Sequence, residues 1–473
     1  VAVGKGALNG ATTGSNNNAI GVNAGISLTT GGENVALGSN TLRGAAGVTG
    51  NYNVAVGNAA LSDITAGSEN VAVGYSSLNN NTTGVRNVAV GTDALDTSTT
   101  ANDNTAIGHD ALFSTTTGGN NTAVGGQSLD ANTTGAHNVA VGFAALGANT
   151  TAVNNVAVGN YSLDANTTGN NNSALGTNAL TGNTTGSSNV AVGATALKTS
   201  STGHRNISIG HNSMELNQSG SDNVAIGHDT LKQNTTTSNN VAIGRAALGN
   251  NTADNNTAVG RSALAANTSG TQNVAVGAEA ADANTTGFNN VAIGYDSLGG
   301  NTTGYANVAV GKSALKNYSN NDNTAVGSYS MQEATTGHNN VAVGQSALYN
   351  TTTGVFSAAV GRSAMSGNTT GGYSAALGYS ALQNCQTGNF NVAIGYQSLL
   401  NSTVTGNTAV GGLSLTSNTG GDNNVAVGFS CLEDNTTGSS NTAVGHRALS
   451  NNVTGSSITA VGRDVLRYNT AAN

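Results

Sequence analysis

Seven histidines are the first residues to question, because imidazole can hold a metal or move a proton near neutral pH. Four of them, His109, His211, His228 and His446, directly follow a glycine that closes a short aliphatic run. Elsewhere the same position holds Arg245, Arg261, Lys312, Arg362, Arg463, Tyr75, Tyr295, Tyr379, Tyr396, Phe143 and Phe429. A column of long basic and aromatic side chains suits recognition of a cell-surface glycan or an anionic surface, with rings as stacking platforms. His211, His228, Arg245, Arg261, Tyr379 and Tyr396 are the candidate recognition strip. The plainer reading is a solvated corner that accepts any long side chain. Stacked histidines without a cysteine or a fixed acid partner give no zinc geometry.

Other chemistry is sparse. Isolated aspartates sit near turns, as in SDN (221–223), NDN (321–323) and GDN (421–423). Calcium-binding solenoids need a much denser Gly-Asp repeat. The NTT triplets at Asn81 and Asn132 match the glycosylation pattern, but they recur because a turn recurs. The glycines lack the strand–helix context of a phosphate loop. Cys385 and Cys431 read as small packed thiols. No catalytic constellation and no insertion that would build a groove is visible, so the sequence predicts a non-enzyme with no cofactor and no metal.

The elements that position these residues are copies of one unit. "NVAVGYSSLNNNTTGVR" (70–86) is followed by "NVAVGTDALDTSTTAND". The glycine ending each NVAVG marks 28 repeats, from Gly4 to Gly462. Most steps are 17 residues; one is 19 (Gly38 to Gly57) and three are 16, ending at Gly260, Gly327 and Gly411. The residue before the marker is always Val, Ile or Leu. The residue two before is Ala in 27 repeats and Ser208 in the other. Four after the marker comes Leu or Met, except at Gly25 and Ala281. Met214, Met331 and Met365 all occupy this leucine position, a swap that a packed core tolerates.

Seventeen residues are too few for two helices and a turn, and clustered Gly, Asn and Thr disfavour helix. Short β-branched runs bounded by Gly and Asn read as strands and turns. The sequence therefore predicts an all-β fold: a parallel β-solenoid, or β-roll, of about 28 coils. It forms a single repeat domain over 1–473, a rod of roughly 130 Å at strand spacing. NVAVG is the strand, and each residue stacks on its counterpart one coil away. NNTTG is expected to be a tolerant outer loop carrying Asn81, with its Gly at positive φ. Valines such as Val73 are expected to face the interior. Alternation then puts Ala72 and Ala140 outside. An outer position restricted to Ala implies a close neighbour, so these alanines are the candidate interface of a homo-oligomer, with a trimer favoured.

The composition narrows the class. Charged residues are 8% and net charge is −8, which gives no basic footprint for nucleic acid. The longest apolar runs are a few residues, too short for membrane insertion. The chain opens at Val1 within a repeat and closes shortly after Leu466. The expectation is continuation at both ends, or end-to-end stacking of copies into a filament.

The N-x-A-V/I-G strand followed by a small residue and Leu resembles the head repeats of YadA-like trimeric autotransporter adhesins. The "NTAVG…AL…NTTG" wording is also similar to shaft repeats of phage tail fibres. The resemblance implies a left-handed β-roll packed as a homotrimer. The leading functional expectation is an extracellular structural fibre or adhesin segment at a cell or virion surface. A tail-fibre shaft is the alternative and an ice-binding solenoid with Thr ranks a remote one.

Overall fold

The computed structural model describes residues 1–44 and 47–469. Among them lie 28 short strands and no helix. The chain divides into two compact units, Val1–Asn239 and Asn240–Asn473. The first runs from β1 (Ala2–Val3) to β14 (Val224–Ile226), the second from β15 (Val241–Ile243) to β28 (Thr459–Val461). Within each unit, each strand pairs in parallel with its counterpart one coil on. Between β5 (Val71–Val73) and β6 (Val88–Val90), Val71 pairs with Val88, Ala72 with Ala89 and Val73 with Val90. Register also survives the irregular steps: Val35 pairs with Val54 across the 19-residue step and Val241 with Thr257 across a 16-residue one. Length changes are therefore absorbed outside the strands, as the repeat comparison predicts.

The predicted strand faces are inverted. Ala72 and Ala140 are fully buried inside the coil, while Val71 and Val73 are only half-buried on the outer face. The candidate alanine interface is thus corrected: these methyl groups meet the chain's own backbone. Ser208, the one departure in the column, shows how near that backbone is. Its Oγ donates to the Ser213 carbonyl at 2.8 Å. From the opposite wall, Ser213 Oγ reaches the Ala225 carbonyl at 3.1 Å and Cys431 Sγ the Ala443 carbonyl at 3.2 Å. The chain doubles back so soon after the strand that only a methyl or hydroxymethyl group fits between the walls.

Leucine supplies the bulkier part of the core. Leu78, Leu95, Leu112 and Leu129 are fully buried, as are Met214, Met331 and Met365. Leu78 takes a φ of 53°, a left-handed conformation that costs an L-residue about 1–2 kcal/mol. Its side chain is buried in return, and its N–H donates to the Ala94 carbonyl at 2.9 Å. The glycine expected at positive φ is also a different one. Gly74, the marker, has a φ of 137°, and a Cβ there would collide with the Gly91 carbonyl. In the NTTG turn, Gly135 is instead required for space: a Cβ would lie 2.5 Å from the Ala152 carbonyl oxygen.

The asparagines form two internal ladders. In the first, Asn87 donates its backbone N–H (3.0 Å) and its amide (3.1 Å) to Asn70 Oδ1, and its amide also to the Ala101 carbonyl (2.8 Å). In the second, Asn149 donates to Asn132 Oδ1 at 2.9 Å, Asn166 to Asn149 at 3.1 Å and Asn183 to Asn166 at 2.8 Å. Asn81 and Asn132 are fully buried, so the NTTG segment is not the tolerant outer loop expected. Its asparagine side chain is part of the core, which also removes the two glycosylation-like amides from the surface.

Where a serine enters the second ladder, its hydroxyl is left without a partner, as at Ser98, Ser200 and Ser402. Asn183 Oδ1 and Ser200 Oγ are buried without a hydrogen bond. The serine hydroxyl is too short to span one coil. Ser200→Asn restores the side chain this column carries elsewhere. It should stabilise the protein by about 1–2 kcal/mol, read as a higher melting temperature. A lower melting temperature would mean that this coil has no room for the amide. Tyr318 solves a related problem. It enters the same column next to a 16-residue step, is fully buried, and its hydroxyl donates to the Gly337 carbonyl at 2.6 Å.

Candidate functional site

The ridge after the marker glycine exists within each unit, since stacking in register places these side chains one coil apart. In the first unit His211 and His228 stack with ring centroids 5.3 Å apart and planes 18° from parallel. In the second, Tyr379 and Tyr396 stack at 5.6 Å and 11°, and Phe429 meets His446 at 5.8 Å. Arg245 is exposed on the same ridge. Arg261 Nη2 pairs with Glu279 Oε1 at 2.5 Å, and this guanidinium holds the Glu279 carboxyl below its ordinary range. Lys312 lies over the Tyr329 ring at 5.3 Å. Much of the ridge is therefore engaged with itself. A guest would meet ring stacks and paired charges rather than a free basic strip.

The structure adds acid partners that the sequence reading did not place. His109 Nδ1 lies 2.8 Å from Asp110 Oδ2, and His228 Nδ1 lies 2.9 Å from Asp229 Oδ2. Asp93, one coil before, brings a third potential ligand atom within 4.8 Å of those of His109 and Asp110. The expectation that no histidine has an acid partner is thus corrected. The position two after the marker was the signal: it carries Asp93, Asp110, Asp229 and Asp296. His109 is exposed, and no buried group helps to fix the cluster.

A second acidic column lies five residues after the marker. Asp130 and Asp164 flank Gly147, where a Cβ would stand 2.7 Å from Asp164 Oδ1 and 3.5 Å from Asp130 Oδ1. Burial raises the Asp130 carboxyl above its ordinary value of 3.8, the Ala131 N–H opposes that, and the Asp164 charge adds to it. A raised folded-state pKa means that the folded protein binds the proton more tightly than the unfolded chain. Ionised Asp130 therefore destabilises at neutral pH, and the penalty fades as pH falls below the unfolded value. Asp130→Asn should raise the melting temperature at neutral pH and leave it unchanged in acid below that value. An equal gain at both would show that the charge is not the cause.

The remaining sequence candidates resolve simply. Cys385 and Cys431 are buried free thiols, and burial pushes Cys431 up to about 11. Thr82, Thr99, Thr116 and Thr133 form a rank in which each hydroxyl donates to the threonine carbonyl of the next coil, at 3.0–3.2 Å.

Sequence reasoning missed a second aromatic column, on the approach to the strand. Phe288 and Tyr305 stack there at 4.8 Å and 8°. Phe356, Tyr373 and Phe390 stack in succession at 5.3 and 5.2 Å. The signal was present as GVFS, GGYS and GNFN at 17-residue spacing. A cavity of about 480 Å³ opens beside Phe356 and Tyr373, floored by Ala358 and Ala375.

The outer face of the strands is apolar. The last residue of every strand is Val, Ile or Leu, and the first residues from β2 (Asn18–Ile20) onward are mostly Val, Ile or Thr, none of them charged. Ile107, Val156 and Val341 are each about 40% exposed, at 41%, 40% and 41%. No protein-family model matches the chain, and no curated relative does.

Proposed function

We propose that the chain is a structural fibre or adhesin segment of an extracellular cell or virion surface. It self-associates through the aliphatic outer face of its strands. The observation that carries this reading is that face: two columns of mainly Val, Ile and Thr, uncharged from strand to strand and partly exposed in a single chain. Monomeric proteins rarely leave so long an apolar patch uncovered. In each unit fourteen strands at about 4.8 Å make a stripe on the order of 600 Å², near the roughly 800 Å² per partner of a standard interface. A trimer, which the resemblance to adhesin heads and tail-fibre shafts implies, would bring three such faces together. The face replaces the buried alanines as the site of contact.

The test is the mass of the native particle against the 46.2 kDa chain. Three chain masses are expected, and a monomer at micromolar concentration would refute self-association. Val139→Lys with Val141→Lys should release monomers and keep the far-ultraviolet circular dichroism spectrum, because both side chains point outward. A double variant that keeps its particle mass would show that the contact lies elsewhere.

A further inference from the structure

We infer that the cavity beside the second aromatic column is a binding notch for an uncharged sugar ring. It lies on the outer strand face that the self-association proposed above would use, at the edge toward the aromatic column, and rests on that edge staying open in the particle. Three departures from the repeat coincide in two consecutive coils. The first strand residue, usually Val or Thr, becomes Ala358 in β22 (Ala358–Val360) and Ala375 in β23 (Ala375–Leu377). The ladder asparagine before it becomes Ser357 and Ser374. The residue before that becomes Phe356 and Tyr373, and Phe390 extends the column by one coil. Any one of these would be ordinary drift. Together they shape one place: methyl groups in place of two isopropyl groups open a floor, and rings line its edge.

The walls specify the guest. Val341 and Val392 bound the gap along the column, and the space between them is an open groove of about 480 Å³. None of its lining residues is charged, so an ionic guest would lose its hydration without a counter-charge. Phe356 and Tyr373 are about half exposed, at 48% and 53%. Their ring centroids lie 5.3 Å apart with planes 19° from parallel, an ordinary offset stack whose exposed ring edges line the groove. Asn339, Ser357, Tyr373 and Ser374 are the polar residues of its lining; the Asn339 amide nitrogen lies 2.8 Å from His338 Nδ1. An apolar floor, aromatic walls and a polar rim fit a flat ring with a C–H face and a hydroxyl edge. That is a pyranose, and the column of three rings along the coils would favour a linear chain of them.

A second copy of this chain fits the notch poorly. Across all strands the largest side chain in the first strand position is Ile207, far smaller than a groove of about 480 Å³. The aliphatic stripe also continues past the notch through Val360 and Leu377. Phe356 and Tyr373, exposed in the chain, mark the side from which a guest would enter.

The experiment is calorimetric titration of the native particle with cellotetraose and tetra-N-acetylchitotetraose, both uncharged. The expected result is saturable binding of at least one of them, with Kd in the millimolar range or tighter. Ala358→Val with Ala375→Val fills the notch with the residue found in most other coils, so the fold is kept and melting checks it. That variant should bind at least roughly tenfold more weakly. Failure of the native particle to bind either sugar overturns the proposal, as does undiminished binding by the filled variant. A change in particle mass on filling the notch would assign it to a second copy of the chain and also overturn the proposal.

Discussion

Asn149→Asp should destabilise its coil by on the order of 3–5 kcal/mol, although it changes one amide nitrogen to oxygen. The Asn149 amide donates to Asn132 Oδ1 at 2.9 Å and to the Ala152 carbonyl at 3.3 Å, and its Oδ1 accepts from Asn166 at 3.1 Å. A carboxylate would aim an oxygen at two acceptors in a fully buried site. Each coil of a solenoid touches only its neighbours, so the damage is local. Amide hydrogen exchange in residues 132–166 should read it more sharply than the melting curve. Burial would raise the folded-state pKa of the introduced carboxyl, and its protonated form can donate as the amide does. The deficit is therefore largest at neutral pH and shrinks on acidification. Asn160→Asp is the control: Asn160 is exposed and accepts from the Phe143 N–H at 3.1 Å, which a carboxylate does equally well. Equal effects of the two substitutions would refute the internal ladder.

Ala140→Leu should damage the fold itself. Ala140 is fully buried, and the Ser208 hydroxyl shows that an atom one bond beyond Cβ in this column already reaches the opposite backbone at hydrogen-bond distance. Three extra carbons force the walls apart, at a cost of about 1–3 kcal/mol per coil. Combining it with Ala72→Leu, four coils away, should add the two losses, because they share no neighbour. Val73→Asp, by contrast, places its charge on the outer face and should leave the isolated chain folded, with its effect falling on particle mass. If Ala140→Leu lowers particle mass while the melting temperature stays put, the alanine column faces outward after all.

The sequence alone determined the unit and its repetition. The period, the strand at NVAVG, the parallel stacking and the buried leucine position all follow from comparing 28 copies within one chain. Packing restricts those positions directly, and restriction is visible as invariance. The same comparison could not say which face the invariant positions occupy. Alternation in a three-residue strand puts Val and Ala on opposite sides but does not choose between them, and larger aliphatic residues inside is the usual choice. Tertiary structure reversed it, because the return segment passes within one side chain of the strand and leaves room only for methyl groups. The asparagines misled for a related reason. Next to Thr and Gly they read as turn residues, and only the stacked coils turn their amides into ladders that satisfy one another out of water. The recognition ridge was legible because its residues share one column with the marker glycine. The notch was not, because it arises from what three adjacent columns lack together in two coils, and no single column records that.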